Sequence, residues 1–568
     1  MAEIALAGLY ITLLCWIWGH LVLRIFHAAM PGARAGLPPF SIVCMAGLSG
    51  LSVIAGALSV WMPLGGVVLQ LALLGVALVY GAWNKEVRTD FMAAVRRGKS
   101  VHPVGICLLF SCLLLLLLMG SWIIIHPDTT GYHAQTIRWI AEFKAIPGLV
   151  HLHVRYGYQG YWFLDCALFS FPFLPTQALT FVNTCVAGWY VLFMVGRVSE
   201  GGLGVYRYTG ILRSSLLIVF FAYTMLDYGM LRLTAVSASP DFVAGIYCWL
   251  VFYLLVNKKQ EQDRMLLFFF SILAVLIKLS SVPLLLLAGW ILYGLIRRGR
   301  KRAVFSLVVV TVLAMAPFVA RNIITSGHLI FPSPLLDVLH PDWKLDHQST
   351  VHAQQYITDY ARVGAKANGG AQIHLSWKEW LPVWWGNRSG AEKFSLLSLL
   401  ACLLLICSFF KKMVLQAEPE TRLLFFLSAT GLLFWFVQAP DPRFGYGFIF
   451  PVQGVVLYRL AVMYPPAVQA GKRFLVPAMG ALTLLVAGYT GYRFIRFFHV
   501  QNWVRPAGIP PIATRKIIQG GIVFQVPCHT CGCGSTPLPC AYDDNPFLLR
   551  GPSLTDGFKS AQSVTSDQ

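Results

Sequence analysis

The stretch Ile106-Cys107-Leu108-Leu109-Phe110-Ser111-Cys112-Leu113-Leu114-Leu115-Leu116-Leu117-Leu118-Met119-Gly120-Ser121-Trp122-Ile123-Ile124-Ile125 contains no charged residue and runs straight into His126-Pro127-Asp128-Thr129-Thr130-Gly131-Tyr132-His133. About 20 apolar residues in helical form cross the hydrocarbon core of a bilayer. The run therefore reads as a membrane helix, and Asp128 stands where it ends. The residues that follow, Arg138, Trp139, Glu142, Lys144 and His151-Leu152-His153-Val154-Arg155-Tyr156, are dense in basic and aromatic side chains. Two readings fit that density. One is an ordinary interfacial loop, since aromatic and basic residues belong at headgroup depth. The other is a site built round an acid at the membrane edge.

The rest of the chain has the same character. Of its 568 residues 57% are hydrophobic and 12% charged, and the mean hydropathy is +0.66, whereas soluble domains carry about 25% charged residues. Apolar runs lie near 4–24, 41–62, 65–83, 104–125, 177–196, 214–230, 241–257, 265–280, 282–296, 304–320, 394–410, 423–438, 447–463 and 474–490. They predict an all-α polytopic membrane protein of about 13–14 transmembrane helices. The run 161–175, broken by Asp165, Pro172 and Pro175, is shorter and reads as an interfacial or re-entrant helix. Met1-Ala2-Glu3 lacks the positive region of a cleavable signal peptide, so 4–24 is expected to be a retained first helix.

The net charge of +20 is carried by short basic clusters between apolar runs, the pattern of cytoplasmic loops. It excludes a nucleic-acid partner, which would call for a groove-binding stripe. The clusters are Arg24 with Arg34; Lys85, Arg88, Arg96, Arg97 and Lys99; Arg197, Arg207 and Arg213; Lys258, Lys259 and Arg264; Arg297, Arg298, Arg300, Lys301 and Arg302; Lys411, Lys412 and Arg422; and Lys472 with Arg473. With the spans above all of them fall on one side, which places the N-terminus outside. The outer side then receives loop 126–160, a turn at 231–240 ending just before Asp241, loop 321–392, the turn Asp441-Pro442-Arg443-Phe444-Gly445-Tyr446, and everything after about 490.

Two parts follow: a membrane domain over 1–490 and a small extracytoplasmic segment over 491–568. In the latter, Gly520-Gly521 opens an expected short strand at Ile522-Val523-Phe524. Four of the thirteen cysteines, Cys528, Cys531, Cys533 and Cys540, crowd there. Their spacing is that of a zinc knuckle without a second pair, and on an oxidising side two disulfides are the favoured use.

The residues suited to chemistry gather at outer helix ends. An ionisable group at a membrane boundary is costly unless solvated or paired, and is by default a functional hypothesis. Asp128 and Asp241 are the candidate acids. Each also suits a helix N-terminus, Asp128 ahead of a helix expected over Tyr132–Phe143 and Asp241 after Ser239-Pro240. Arg443, among Phe444, Tyr446 and Phe448, can hold a lipid-borne phosphate through bidentate hydrogen bonds or simply satisfy Asp441. Lys278, near the end of a short span, either snorkels to the headgroups or binds phosphate. Arg321 opens the long loop that carries Trp377, Trp380, Trp384 and Trp385, and this loop either covers the site or lies on the bilayer. Tyr132, His133 and Arg155 complete the expected substrate-binding set. His151 and His153 would share one side of a strand, with His126 and His133 nearby in sequence. A metal centre requires three or four converging ligands, which sequence alone does not show, so a divalent ion stays open but is not indicated, and no cofactor is expected.

At these residues the chain resembles the GT-C superfamily of integral-membrane glycosyltransferases over roughly residues 1–490, in layout more than in identity. Its members have many spans, a first outer loop that opens with a catalytic acid, and later basic residues that hold a polyprenyl-phosphate. Asp128 resembles that acid in position, and Arg443 resembles the late phosphate-binding arginine. The residues Tyr132-His133, Ile137, Trp139-Ile140, Pro147-Gly148-Leu149, His153 and Arg155 also resemble a poorly characterised bacterial family of multi-spanning proteins, which implies no settled activity. Two features depart from the GT-C pattern. Asp128 is followed by Thr129 where many members have paired acids, which leaves Asp241 as the second acid. The acid-bearing loop also follows the fourth expected span and not the first.

The resemblance implies an inverting transfer of a sugar from a polyprenyl-phosphate donor to a hydroxyl acceptor, at the outer face of a bacterial inner membrane, in cell-envelope glycan or glycoconjugate assembly. Asp128 would take the acceptor's proton, and Arg443, Lys278 or Arg321 would stabilise the leaving phosphate without a nucleotide pocket or Mg²⁺. The alternative is a transporter or flippase whose intramembrane charges line a pathway. The absence of an internal repeat and the gathering of charges at outer helix ends favour the enzyme.

Overall fold

The computed structural model describes residues 1–29, 38–98, 102–172, 174, 179–199, 215–216, 218–220, 223, 230–257, 261–364, 375–497, 500–509, 512–528, 532–542 and 546–561. Each apolar run is helical except 214–230, which lies largely outside the described residues. Among the described residues, seven helices are long and apolar enough to cross a membrane: Ala2–Ala29, Phe40–Ser59, Pro103–Gly120, Lys301–Ser326, Gly390–Ser408, Pro419–Gln438 and Pro442–Met463. An eighth candidate, Val67–Trp83, turns by 88° into the basic helix Lys85–Gly98. Phe181–Arg197, Pro240–Val256 and Leu284–Arg297 are shorter and apolar. The chain is an all-α polytopic membrane protein with a little β-structure near its C-terminal end.

Helices here pack through small residues as well as bulk. A Cβ on Gly47 would lie 1.8 Å from the Cys15 carbonyl oxygen, and one on Gly19 would lie 2.0 Å from that of Val43. Helices Ala2–Ala29 and Phe40–Ser59 thus touch backbone to backbone, which only glycine permits.

The 161–175 run forms a short helix packed inside the bundle. All eight residues of its helix Tyr161–Leu168 are buried. Asp165 is tolerated there because both carboxylate oxygens meet the Ser52 hydroxyl, at 2.8 and 2.9 Å. Trp162 Nε1 donates to Asn183 Oδ1 at 2.9 Å.

The N-terminus, the exit of helix Pro103–Gly120 and the chain after 500 meet at one end of the bundle. The Met1 ammonium donates to the Asn502 carbonyl at 2.5 Å. The Glu3 N–H reaches the Val504 carbonyl at 3.1 Å, and the Ala507 N–H reaches that of Ser121 at 2.8 Å. Beyond this point Thr514–Gln519 and Ile522–Pro527 pair antiparallel. Gly520 and Gly521, with φ of +56° and +79°, supply the two-residue turn that hairpins favour. The expected strand at Ile522 is the second arm of this hairpin. Phe547–Leu549 and Phe558–Ser560 form another antiparallel pair.

This C-terminal segment does not stand apart from loop 126–160. Phe524, Ala541, Phe547 and Phe558 form one core with Trp139, Ile146, Leu149, Leu152 and Tyr156. The Phe558 N–H donates to the Pro147 carbonyl at 2.9 Å. Gly148, at φ +63°, has no room for a Cβ, which would lie 2.0 Å from the Phe558 carbonyl oxygen.

The strand expected to carry His151 and His153 is absent. Leu149–His151 and Val154–Gly157 are 3₁₀ turns instead. His151 Nε2 lies 3.1 Å from the Trp343 carbonyl, and the His153 ring packs 4.0 Å from that of Tyr542. Loop 126–160 is thereby folded onto both loop 321–392 and the C-terminal segment.

Of the expected disulfides, Cys533–Cys540 is formed. Cys528 is a free, exposed thiol, which corrects the expectation of two bridges, and Cys531 lies outside the described residues. The bridge closes a loop that grips the acid-bearing segment. The Gly534 N–H donates to the Thr130 carbonyl at 2.9 Å, and the Tyr542 hydroxyl to that of Gly131 at 2.7 Å. Gln135 Nε2 reaches the Gly534 and Thr536 carbonyls at 3.2 and 2.7 Å. Arg138 Nη1 reaches those of Ser535 and Thr536 at 2.9 and 2.6 Å. Cys533→Ser is expected to weaken this grip by about 2 kcal/mol. Hydrogen exchange should then accelerate over residues 129–138 while leaving the helices unchanged. Exchange that is unaltered there would show that the bridge braces only its own loop.

Candidate functional site

The site begins where helix Pro103–Gly120 ends. The chain runs on without helix to His126, whose carbonyl accepts the Thr129 N–H at 3.0 Å. A turn of π-helix, Thr129–His133, then leads into helix Ala134–Glu142. Asp128 occupies the capping position of that turn, but its side chain makes no capping hydrogen bond. Its carboxylate turns to two arginines instead. Oδ1 lies 3.4 Å from Arg155 Nη1, and Oδ2 lies 3.8 Å from Arg443 Nη1.

Asp241 comes from a second helix end. In Pro240–Asn257 the capping work is done by Ser239, whose Oγ accepts the Asp241 N–H at 3.3 Å. The Asp241 carboxylate is therefore available to pair with Lys278, and its Oδ2 lies 3.7 Å from Arg443 Nε. Lys278 sits at an extended break between helix Glu261–Ile277 and the 3₁₀ turn Leu279–Ser281. Its ammonium lies over the Phe444 ring, 3.6 Å from the centroid.

Arg443 enters from a third. Asp441 caps helix Pro442–Met463, its Oδ1 accepting the Arg443 N–H at 3.1 Å. Two tryptophans pin this turn: Trp384 Nε1 donates to the Pro440 carbonyl at 2.6 Å, and Trp435 Nε1 to that of Asp441 at 2.7 Å. Asp441 Oδ2 lies 3.4 Å from Arg443 Nε and 3.7 Å from Arg388 Nη1. Arg443 thus pairs with Asp441, as one of its two readings has it, and also lies between Asp128 and Asp241.

The cluster sets four cations, Arg155, Lys278, Arg388 and Arg443, against four carboxylates, Asp128, Asp241, Asp441 and the Glu392 that pairs with Arg388 at 3.7 Å, so its charges balance. The Arg443 Nε–H is buried and makes no hydrogen bond among the described residues, although two carboxylates stand within ion-pair distance of it. The Asp128 side chain is 30% exposed and that of Asp241 6%, so Asp128 is the acid that an incoming molecule meets. Burial pushes the Asp128 carboxyl up, but its cationic neighbours, Arg443 foremost, outweigh burial and hold it below the usual carboxylate range. Asp241, Ser280, Ser281 and Arg443 form the polar end of a narrow recess of about 10 Å³, room for about one water. Ala244, Gly245, Cys248, Gly447 and Phe448 continue it between helices Pro240–Asn257 and Pro442–Met463.

Of the remaining expected residues, Arg155 lies between the Tyr132 and Tyr356 rings, 5.5 and 5.1 Å from their centroids, and donates to the Tyr356 hydroxyl at 2.9 Å. His133 lies beneath, its Nδ1 3.2 Å from Thr129 Oγ1 and its ring against His126 and Phe163. Burial pushes the His133 imidazole down to about 3, so it is neutral. Arg321 does not join the site. It is buried in helix Lys301–Ser326, with Nε and Nη2 on Gln159 Oε1 at 3.0 and 2.7 Å and Nη1 on the Ser59 carbonyl at 2.9 Å. Those bonds leave it no freedom to hold a phosphate. Among the described residues, no group of three or more His, Cys, Asp or Glu side chains is arranged to hold a metal ion.

Sequence reasoning missed Arg388 and Tyr356 as members of the site. Arg388 follows a tryptophan-rich helix and precedes a capping serine, which marks a helix start but no chemistry. Tyr356 is one polar aromatic among many, in helix His347–Val363. Of the four tryptophans, Trp384 braces the Arg443 turn, whereas Trp377 is 65% exposed.

Residues 1–450 match the family model described as Domain of unknown function (DUF8201). The chain belongs to this family. All eight charged members of the cluster lie inside the matched residues, and the disulfide-closed loop that grips Thr130 and Gly131 lies beyond them. Neither the curated proteins nor the solved structures include a match.

Proposed function

We propose that this member of the DUF8201 family transfers a glycosyl group from a polyprenyl-phosphate to a hydroxyl acceptor at the outer face of a bacterial plasma membrane, in cell-envelope glycan assembly. One observation carries the reading. Arg443 lies between two carboxylates, its buried Nε–H makes no hydrogen bond among the described residues, and a narrow recess lined by small and apolar residues lies beside it. A guanidinium with an unsatisfied donor suits a phosphate, and the apolar side chains of helices Pro240–Asn257 and Pro442–Met463 beside it suit contact with the lipid.

In the transfer, the acceptor oxygen attacks the anomeric carbon and the bond from that carbon to the phosphate oxygen breaks. The acceptor's proton passes to Asp128, and the lipid phosphate leaves with the bonding pair. Arg443 and Lys278 neutralise the charge that grows on the leaving phosphate. As Arg443 turns to the phosphate, Asp128 loses its foremost cation. Its basicity then rises towards that of an ordinary carboxylate, as a general base requires. Attack from the face opposite the phosphate inverts the anomeric configuration.

The membrane arrangement belongs to the same proposal: 13–14 spans, the basic loops cytoplasmic, and the cluster outside. It is supported by the contacts that join the N-terminus, loop 126–160, loop 321–392 and the C-terminal segment at one end of the bundle. The test uses the purified protein in proteoliposomes with radiolabelled polyprenyl-phosphate sugars and a crude envelope acceptor fraction. Label passing from lipid to a polar product is the expected result. Lipid that crosses the bilayer with its sugar still attached would replace transfer by transport.

A further inference from the structure

His126 is the buried group of the site that the charges do not account for. Its ring is 1% exposed, and neither Nδ1 nor Nε2 has a hydrogen-bond partner among the described residues. One face of the ring packs on His133, with centroids 5.5 Å apart and planes at 26°. His133 is already engaged with Thr129 through its Nδ1. The charges that act on His126 are those of the site itself: Asp128, Arg443, Asp241 and Lys278. The histidine backbone is committed to the turn, since its carbonyl accepts the Thr129 N–H at 3.0 Å and the Thr130 N–H at 3.4 Å.

A buried polar atom without a partner costs about as much as a lost hydrogen bond, and here one ring carries two. Burial keeps this imidazole neutral, so it offers one donor and one acceptor at opposite corners of the ring. A phosphate oxygen, which only accepts, satisfies one of them. A hydroxyl group donates and accepts, and a polyhydroxylated ring presents several hydroxyls. The carboxylates and cations beside His126 act on it in opposite directions, and burial is what keeps it neutral, so it is suited to a neutral partner.

We infer that His126 binds hydroxyl groups of the transferred sugar, forming a neutral glycosyl subsite between the phosphate-binding cations Arg443 and Lys278 and the acid Asp128. This rests on the proposed donor and names what part of it each group holds: the cations the phosphate, His126 the sugar.

The test compares His126→Phe and His126→Gln with the wild type in detergent. Binding is measured by titration with polyprenyl phosphate alone, with a polyprenyl-phosphate hexose and with a polyprenyl-phosphate pentose. Phe keeps the ring and the packing on His133 but removes both nitrogens. With no partner to lose, the empty His126→Phe protein should unfold at a temperature no lower than the wild type. Its affinity for the bare phosphate lipid should change less than twofold, while affinity for at least one sugar-bearing lipid falls about tenfold or more. Gln, which retains a donor and an acceptor, should recover part of that loss.

Equal losses for the bare and the sugar-bearing lipid would overturn the inference, as would a wild type that binds all three lipids alike. A wild type that binds polyprenyl phosphate no better than the Arg443→Ala variant would instead overturn the donor reading itself. The two failures are thus distinguishable.

Discussion

Asp128→Asn is expected to reduce sugar transfer at least about 100-fold while leaving the fold intact, because an amide has no useful basicity and general-base help is worth about 100- to 10,000-fold. The structure makes this substitution unusually clean. Asp128 occupies a capping position without a capping hydrogen bond, so Asn removes no support from the Thr129–His133 turn. The variant also frees Arg443 from one of its carboxylates. Binding of polyprenyl phosphate should therefore be preserved or tightened while turnover collapses, a split that a folding defect does not produce. The assay is transfer from a radiolabelled lipid-linked sugar at saturating donor, alongside titration with the sugar-free lipid. Turnover within a few-fold of wild type would remove Asp128 from the mechanism and leave Asp241, 6% exposed and paired with Lys278, as the next acid to test.

Arg443→Lys is expected to fold and to lose about 10- to 100-fold in affinity for polyprenyl phosphate. Lysine keeps the charge that holds Asp128, Asp241 and Asp441 together but has no planar fork for two phosphate oxygens. Charge-assisted hydrogen bonds of this kind contribute about 1.5–3 kcal/mol each. Arg443→Ala should lose binding altogether and also lower the unfolding temperature, since it leaves three carboxylates short of a shared cation. Asp441→Ala separates the two effects. It removes the cap of helix Pro442–Met463 and should destabilise the protein while leaving a ligand-dependent rise in unfolding temperature. If Arg443→Lys binds the lipid as the wild type does, the guanidinium serves only the carboxylates.

Much of this was legible in the sequence, for physical reasons. The bilayer fixes the length of an apolar helix, so the helices could be read directly as apolar runs. Charges are costly at membrane depth, so Asp128, Asp241, Lys278 and Arg443 stood out, and the structure brings these four together from three different helix ends and one helix break. What stayed hidden depends on pairings distant in sequence. Arg321 looked as available as Arg443, but its partners, Gln159 and the Ser59 carbonyl, lie far away in the chain and no local pattern announces them. The strand expected at His151 yields to 3₁₀ turns because this segment is folded against Trp343 and Tyr542. The C-terminal segment looked separate by composition, and its shared core with Trp139 and Tyr156 has no sequence periodicity. The orphaned nitrogens of His126 are likewise a property of the packed interior, not of the motif around it.

The most direct measurement is an experimental structure of the protein in a lipid nanodisc with polyprenyl phosphate bound. The expected result is a phosphate within hydrogen-bond reach of Arg443 and Lys278. Its isoprene chain should lie along helices Pro240–Asn257 and Pro442–Met463, and Asp128 should stand open to solvent beside it. A lipid phosphate bound elsewhere, with Arg443 still held between Asp128 and Asp241, would contradict it.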